Sequence, residues 1–278
     1  MIDKPSGPTA HDVVAHVRRV LSVRRAGHAG TLDPFASGLL VLLVGRATRL
    51  SRFVAHLSKT YSGKVLLGET TDTGDLTGEV VESSDAWEDV TDDEIESAMG
   101  RLTGTLAQVP PSFSAKKVGG ERAYRLARRG EAVELPPCEV QVYRFDLLGR
   151  SGRLIEFSCE VSSGTYVRAL ARDLGAGLGC GAHLHSLRRQ TVGEFDVGRA
   201  ESLDTVGAAT TLRPALEAVS HLPAIEIEPD VQQKVWHGQP IPWSGSVVGP
   251  VALVADDRLL AVAEPKDGVL KPKVVLTG

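Results

Sequence analysis

Residues 27–34 read Gly-His-Ala-Gly-Thr-Leu-Asp-Pro and place one carboxylate, that of Asp33, in a glycine-rich turn. The two glycines permit backbone conformations that other residues disfavour, and the proline stiffens the exit from the turn. Residues 39–44 follow as an unbroken aliphatic run, which predicts a strand buried on both faces. A turn next to such a strand has rigid support, so Asp33 is a candidate nucleophile.

Residues 27–38 also resemble a motif of the bacterial tRNA pseudouridine-55 synthase family. An isolated Asp-Pro pair is typical of an ordinary turn. Here, however, the whole stretch matches the Gly-His-x-Gly-Thr-Leu-Asp-Pro-x-Ala-Ser-Gly segment that carries the family's catalytic aspartate. Further blocks that resemble the family occur in its order at residues 3–9, 59–75, 110–117 and 164–175. The resemblance therefore extends over residues 3–190 and is looser beyond them.

Alternating strands and helices with hairpins favour an α+β fold with a mixed sheet over a purely parallel one. The resemblance implies the pseudouridine synthase fold, with a largely antiparallel central sheet and the active site in a cleft across it. This catalytic domain would occupy residues 1–221 and include an acidic insertion at 71–110. Short apolar runs separated by prolines predict a small β domain at residues 222–278, and the resemblance implies that it is a PUA-like RNA-binding domain.

Local patterns predict individual elements. Thr9 with Asp12, and Thr91 with Glu94, have the spacing of helix-capping pairs. Strands are expected at 61–67, 139–147 and 153–161, the last two paired, and helices at 46–57, 121–129 and 166–174.

Composition excludes several classes of protein. The chain has 278 residues, enough for about two domains. Its three cysteines are far apart and do not cluster with histidine, so neither a disulfide framework nor a zinc site is expected. An apolar signal region and an eighteen-residue apolar run are both lacking, so we expect a cytoplasmic protein that does not span a membrane.

The net charge of −4 conceals a strong segregation of charge along the chain. Residues 1–70 carry ten Lys and Arg against four Asp and Glu, and residues 111–190 carry thirteen against eight. Residues 71–110 carry one against eleven, and residues 191–278 seven against twelve. The two basic segments contain the family blocks, except for the acidic end of the block at residues 59–75. Local basic surface is what attracts a polyanion. This distribution is compatible with RNA as the partner.

The resemblance implies isomerisation of uridine 55 in the T-arm of tRNA to pseudouridine by a monomer, without cofactor, metal, guide RNA or protein partner. The reaction needs a carboxylate at an electrophilic carbon and a pocket that retains the detached base. Asp33 fits the first requirement. Addition to uracil C6, attack on C1′ and assistance of a glycal route all remain open. A uridine inside folded RNA must also be flipped out of its stack.

The resemblance further implies roles for single side chains. Arg168 would lie beside Asp33 and favour its ionised form, and Tyr61 would stack on the flipped uracil. By residue type alone, Arg168 would be a surface residue and Tyr61 a core residue. Tyr166 and Leu187 would line the pocket, and His28 would occupy the space that the flipped nucleotide leaves. Contacts to RNA phosphates are expected from Lys4, Lys59, Lys64, Arg128, Arg129, Arg188 and Arg189.

Two other functions fit parts of the sequence. An RNA-binding or RNA-folding protein on the same scaffold would bind tRNA without isomerising it, although Asp33, Tyr61 and Arg168 are all present. A nucleosidase or glycosidase would need a second carboxylate. The family blocks offer Asp33 no evident acidic companion, which counts against this alternative.

Overall fold

The computed structural model describes residues 1–114, 116–131 and 134–276. Within them, no helix is both long and apolar enough to cross a membrane. Cys159 and Cys180 are buried and Cys138 is half-buried, all as free thiols.

The chain alternates between short strands and helices. The strands are β1 Ile2–Lys4, β2 Ala26–His28, β3 Ser37–Leu40, β4 Leu42–Val44, β5 Lys59–Leu67, β6 Glu69–Thr71, β7 Val80–Ser83, β8 Gly104–Gln108, β9 Lys117–Val118, β10 Glu121–Arg122, β11 Cys138–Ser151, β12 Leu154–Val161, β13 Ala182–Val192, β14 Phe195–Asp196, β15 Glu201–Ser202, β16 Ala224–Glu226, β17 Ile241–Pro242, β18 Val251–Ala255, β19 Arg258–Lys266 and β20 Val269–Val275. The α-helices are α1 Ala10–Val20, α2 Ser51–Ala55, α3 Asp92–Arg101, α4 Ala123–Arg128, α5 Val167–Leu178 and α6 Pro229–Trp236. Short 3₁₀ helices occupy Gly45–Leu50, Ala86–Asp89, Val197–Arg199 and Ala215–Val219.

A large central sheet organises the first part of the chain. Its strand order is β15-β1-β3-β13-β5-β12-β11-β8. Only the β1–β15 and β3–β13 pairings are parallel, so the sheet is mixed and largely antiparallel. The long neighbours β13, β5 and β12 form its centre. The predicted α+β class is therefore confirmed.

Local sequence patterns are reproduced closely. Thr9 accepts a hydrogen bond from the Asp12 amide while Asp12 accepts from the Thr9 amide, and Thr91 with Glu94 does the same at α3. The predicted paired strands are present as β11 and β12. These features depend on contacts within a few residues, which is why the sequence reveals them.

The aliphatic run at residues 39–44 differs from its prediction. It is not one strand but two, because β3 joins the central sheet whereas β4 pairs with β2 in a separate ribbon. Leu40 packs into one core cluster, and Leu39, Val41 and Leu43 pack into another. The predicted helix at 46–57 is likewise a 3₁₀ turn followed by the short helix α2.

The last part of the chain forms a second sheet with the order β16-β18-β19-β20-β17. This confirms a small C-terminal β unit. Its face packs against the rest of the protein, since Val254 and Val262 share a core cluster with Leu39 and Val54. The domain boundary after residue 221 stays a prediction.

One row of residues crosses the middle of the central sheet. Lys4 on β1 lies opposite Gly38 on β3, Gly38 lies opposite Arg189 on β13, and Arg189 lies opposite Tyr61 on β5. Directly opposed residues share a face of a sheet, so the two cations and the tyrosine are neighbours. Gly38 has φ +101°, and a Cβ there would lie 2.3 Å from the carbonyl oxygen of Arg189. The strands β3 and β13 can approach this closely only because Gly38 has no side chain.

We expect Gly38→Ala to destabilise the protein through this close approach. Gly7→Ala is the matched control, because Gly7 has φ +113° but open space around its Cβ position. Both variants place an alanine at a positive φ, which strains the backbone. Only Gly38→Ala also places its Cβ against the neighbouring strand. Its free energy of unfolding should fall by about 1–3 kcal/mol more than that of Gly7→Ala. Equal losses in urea titrations of the two variants would show that the close approach relaxes without cost.

Candidate active site

Asp33 lies in the loop that joins β2 to β3. Backbone hydrogen bonds hold this loop at both ends: the Ala29 amide donates to the Val41 carbonyl (2.9 Å), and the Gly7 amide donates to the Pro34 carbonyl (2.8 Å). The Asp33 side chain remains 34% exposed. The sequence thus produces a fixed loop that presents one accessible carboxylate.

Arg168 contacts this carboxylate from α5. Its Nε lies 3.0 Å from Asp33 Oδ2, and one terminal nitrogen donates a long bond of 3.4 Å to Oδ1. Among the described residues the Nε–H has no acceptor in suitable geometry, so the short contact is an ion pair without an aligned hydrogen bond. The predicted pairing of Arg168 with Asp33 is present in the structure.

The backbone, rather than Asp33, fixes Arg168. Its two terminal nitrogens donate to the carbonyls of Thr73 and Phe113, each at 2.9 Å. Its side chain is 6% exposed, so it is a buried residue and not a surface arginine of α5. A buried guanidinium whose two terminal nitrogens both donate to fixed backbone carbonyls cannot easily change position.

Asp75 is the second carboxylate of the site, and sequence reasoning missed it. Its Oδ2 lies 3.5 Å from Arg168, and its side chain is 5% exposed. Its Oδ1 accepts hydrogen bonds from the Thr73 hydroxyl (2.9 Å), the Thr77 amide (2.9 Å) and the Thr77 hydroxyl. The expectation that Asp33 has no acidic companion is therefore wrong. The available signal was the position of Asp75 within the 59–75 block.

Several charges act on Asp33 at once. Burial raises the pKa of its carboxyl above the ordinary value, Arg168 opposes this rise, and the like charge of Asp75 adds to it. Lys4 also opposes the rise. The site therefore contains two carboxylates and one guanidinium, with a further cation behind the loop.

Gln108 positions the start of α5, and sequence reasoning also missed this residue. It is buried at the end of β8, where its Oε1 accepts from the Tyr166 amide (2.8 Å) and its Nε2 donates to the Tyr166 carbonyl (3.2 Å). Tyr166 is the residue before α5, so this double bond fixes the helix that carries Arg168. Nothing in the residue type of Gln108 distinguishes it from a surface glutamine.

The structure places Tyr61 and Leu187 in the same core cluster as Leu32, the neighbour of Asp33. Tyr61 is 7% exposed, and burial raises the pKa of its phenol. Leu187 lies opposite Gly63 on the adjacent strand, so it shares the face that carries Tyr61. Tyr166 is half-buried, and burial raises its pKa as well. Their roles toward a substrate stay predictions.

His28 lies on β2 at the start of the Asp33 loop. Burial lowers the pKa of its imidazole, and the nearby charge of Arg189 lowers it further. Its Nδ1 is buried and has no hydrogen-bond partner among the described residues. Within that same part of the chain, no three His, Cys, Asp or Glu side chains converge as metal ligands would.

Three residues expected to contact RNA phosphates point into the protein instead. Lys4 donates to the carbonyls of Pro5, Pro8 and Pro34, and Lys59 donates to those of Ala55 and Leu57. Burial lowers the pKa of both lysines to about 8. Arg189 is 1% exposed and also binds backbone carbonyls. These three predictions are corrected, because the side chains are buried and donate to backbone carbonyls, which leaves almost no surface for a phosphate.

Three other predicted phosphate contacts are accessible. Lys64 pairs with Glu156, Arg188 with Asp3, and Arg129 with Glu121 and Glu131, all at the surface. A phosphate would have to compete with these carboxylates. The side chain of Arg128 lies outside the described residues.

Comparisons with known proteins agree with this geometry. A model of the TruB family pseudouridylate synthase N-terminal domain matches residues 18–167, and models of two C-terminal domains of TruB-type pseudouridine synthases match residues 168–220 and 223–276. The tRNA pseudouridine synthase B of Thermobifida fusca is 46% identical over 100% of this chain and 98% of its own length. That of Mycobacteroides abscessus is 42% identical over 99% and 95%.

Chains in solved structures share this fold at lower identity. A Cbf5–Nop10–Gar1 complex contains a chain that is 27% identical, with a TM-score of 0.76 over 99% of this chain and 83% of that one. A chain of an H/ACA ribonucleoprotein bound to a substrate RNA with 2′-deoxyuridine is 25% identical, with a TM-score of 0.75 over 100% and 84%. The chain described here, which carries Asp33 against Arg168 on this fold, belongs to the TruB family of pseudouridylate synthases.

Proposed function

We propose that the chain converts uridine 55 in the T-arm of tRNA to pseudouridine, with Asp33 as the nucleophile acting on a flipped-out base. The observation that carries this proposal is the ion pair of Asp33 with Arg168 in a loop next to Tyr61. The names of the relatives that align over nearly the whole chain support tRNA as the substrate. The reaction consumes no outside atom, so no cofactor is required.

The chemistry requires an ionised carboxylate. In the net reaction the N1–C1′ bond breaks, a C5–C1′ bond forms, C5 loses a proton and N1 gains one. Addition of Asp33 to C6, its attack on C1′ and its assistance of a glycal route all begin from the carboxylate form. The Arg168 charge favours this form against the effect of burial.

The anchoring of Arg168 suits a carboxylate that must leave its ion pair. Because Thr73 and Phe113 hold the guanidinium, it stays in place when Asp33 bonds to carbon. The contact to Oδ2 lacks an aligned hydrogen bond, so breaking it costs less than breaking an aligned charge-assisted bond would. A partner that needs no rearrangement also adds no reorganisation cost to the step.

Asp75 does not resemble the second carboxylate of a glycosidase. A general acid or base needs an oxygen free to reach the substrate. Asp75 is buried, and Thr73, Thr77 and Arg168 occupy its oxygens. We propose that Asp75 holds Arg168 in position.

We further propose that Tyr61 stacks on the flipped uracil, that Tyr166 and Leu187 complete the pocket, and that His28 fills the vacated stack. The buried environments of Tyr61 and Leu187 support an apolar contact to a base. Lys64, Arg129 and Arg188 remain candidates for phosphate contacts. The chain would act as a cytoplasmic monomer without guide RNA. The C-terminal sheet, at residues 222–278, would add RNA-binding surface.

The first test is tritium release from tRNA labelled at uridine C5. The native chain should release tritium and form pseudouridine at position 55. Asp33→Asn should lower the rate at least about 10³-fold, because an amide is a poor nucleophile, while tRNA affinity stays within about threefold. Asp93→Asn is the matched control at an exposed position on α3 and should retain the native rate.

Each other outcome contradicts the proposal in a distinct way. Tight tRNA binding without tritium release by the native chain would indicate an RNA-binding protein. Release of free uracil would indicate a glycosidase. Equal rates for native chain and Asp33→Asn would remove Asp33 from the mechanism.

A second test uses the pH dependence of kcat/KM. Asp33 must be ionised, so activity is lost as the pH falls through the pKa of its carboxyl. Asp75 raises that pKa, and its removal in Asp75→Asn should move the acidic limb to lower pH, whatever happens to the maximal rate. Asp72→Asn, an exposed aspartate in the same loop, should leave the limb in place. A shift to higher pH in Asp75→Asn would contradict the assigned charge coupling.

A further inference from the structure

Arg189 is a buried cation without a carboxylate partner among the described residues. It donates through all three guanidinium nitrogens to backbone carbonyls: Nε to Leu39 (2.7 Å), and the two terminal nitrogens to Thr31 and Gly30 (3.2 Å each). A buried charge is costly unless it is fully hydrogen-bonded. The hydrogen bonds that offset this cost all go to the Asp33 loop and the strand that follows it.

The position of Arg189 in the sheet links two parts of the site. It lies directly opposite Tyr61 on β5, on the same face. On its other side lies Gly38, whose missing side chain allows the two backbones to meet. One residue thus contacts the strand that carries Tyr61 and, through its side chain, the loop that carries Asp33.

We propose that Arg189 is a positioning residue that sets the spacing between the Asp33 loop and Tyr61. This inference rests on the proposed function of the site. The Arg189 donors lie on three separate nitrogens of a rigid fork, each with its own carbonyl. A lysine carries all its donors on one nitrogen, as Lys4 does, and so cannot reach the same three carbonyls from the same geometry. The loop would therefore be held from beneath by Arg189 and, at Pro34, by Lys4.

The charge of Arg189 supports the same role. Burial raises the pKa of Tyr61, and the adjacent guanidinium opposes that rise. The same charge lowers the pKa of His28. Tyr61 is the proposed stacking partner of the uracil and His28 the proposed occupant of the vacated stack, so the cation acts on both side chains without contacting the base.

The test compares Arg189→Lys with Arg150→Lys. Arg150 is the matched control, because it also donates to three backbone carbonyls, those of Trp87, Val90 and Gly152, but anchors the acidic insertion instead. Arg189→Lys should lower kcat about 10–100-fold with the tRNA Kd within about twofold, as expected for a displaced catalytic group. Hydrogen exchange should accelerate at the Ala29 and Ala36 amides, which report on the loop. Arg150→Lys should change none of these.

Two results would overturn the proposal. One is a kcat for Arg189→Lys equal to that of Arg150→Lys, and the other is a loss confined to tRNA affinity, which would restore Arg189 as an RNA contact. If Arg189→Lys does not fold, Gly38→Ala replaces it, because this change presses on the Arg189 carbonyl and leaves the charge intact. An unchanged kcat in that variant would also overturn the proposal.

Failure of the proposed function can be told apart from failure of the proposed role of Arg189, because it would appear as absence of tritium release in the native chain. The exchange rates of the loop amides in Arg189→Lys would then still decide whether Arg189 holds the loop.

Discussion

The contact of Arg168 with two aspartates is the interaction on which the rest of the structure depends. It joins α5 to a carboxylate 135 residues earlier in the chain and to the 72–79 loop between β6 and β7. Two carboxylates that share one guanidinium leave an excess negative charge in a largely buried place, which is unfavourable unless further cations lie nearby. Lys4 supplies one, and its charge lowers the pKa of Asp33. The negative charge of the two aspartates thus explains why the Lys4 side chain points into the protein.

Lys4 and Arg189 show how side chains of the central sheet hold the Asp33 loop in place. Lys4 and Arg189 flank Gly38 on neighbouring strands, and their side chains reach the carbonyls of Pro34, Thr31 and Gly30. Backbone carbonyls, unlike carboxylates, accept a hydrogen bond without neutralising the donor's charge. The cations can therefore fix the loop and still act on Asp33 and Tyr61 over a short distance.

The sequence reveals most of what depends on neighbours along the chain and on family motifs. The capping pairs at Thr9 and Thr91, the β11–β12 pair and the α+β class follow from local patterns, and the motif blocks indicated Asp33, Tyr61 and Arg168. The break of the 39–44 run could not be predicted, because it arises from pairing with two distant partners, β13 and β2. The burial of Lys4, Lys59 and Arg189 was missed for a related reason: residue type alone does not tell whether a cation meets solvent or interior carbonyls. Asp75 and Gln108 act through contacts with α5 and the residue before it, which only the folded chain brings about.

Asp33 and Asp75 differ in their hydrogen bonds and exposure, and therefore in the chemistry open to them. Asp75 is fixed by Thr73 and Thr77 and has almost no exposed surface, so its oxygens are already occupied by protein donors. Asp33 is one-third exposed, and its contact with Arg168 lacks an aligned Nε–H donor. Of the two, only Asp33 has oxygens accessible enough for the proposed nucleophile. Under the proposed mechanism, Arg168 would stay in place on its backbone carbonyls while Asp33 is bonded to carbon, and it would receive the carboxylate again when the product departs.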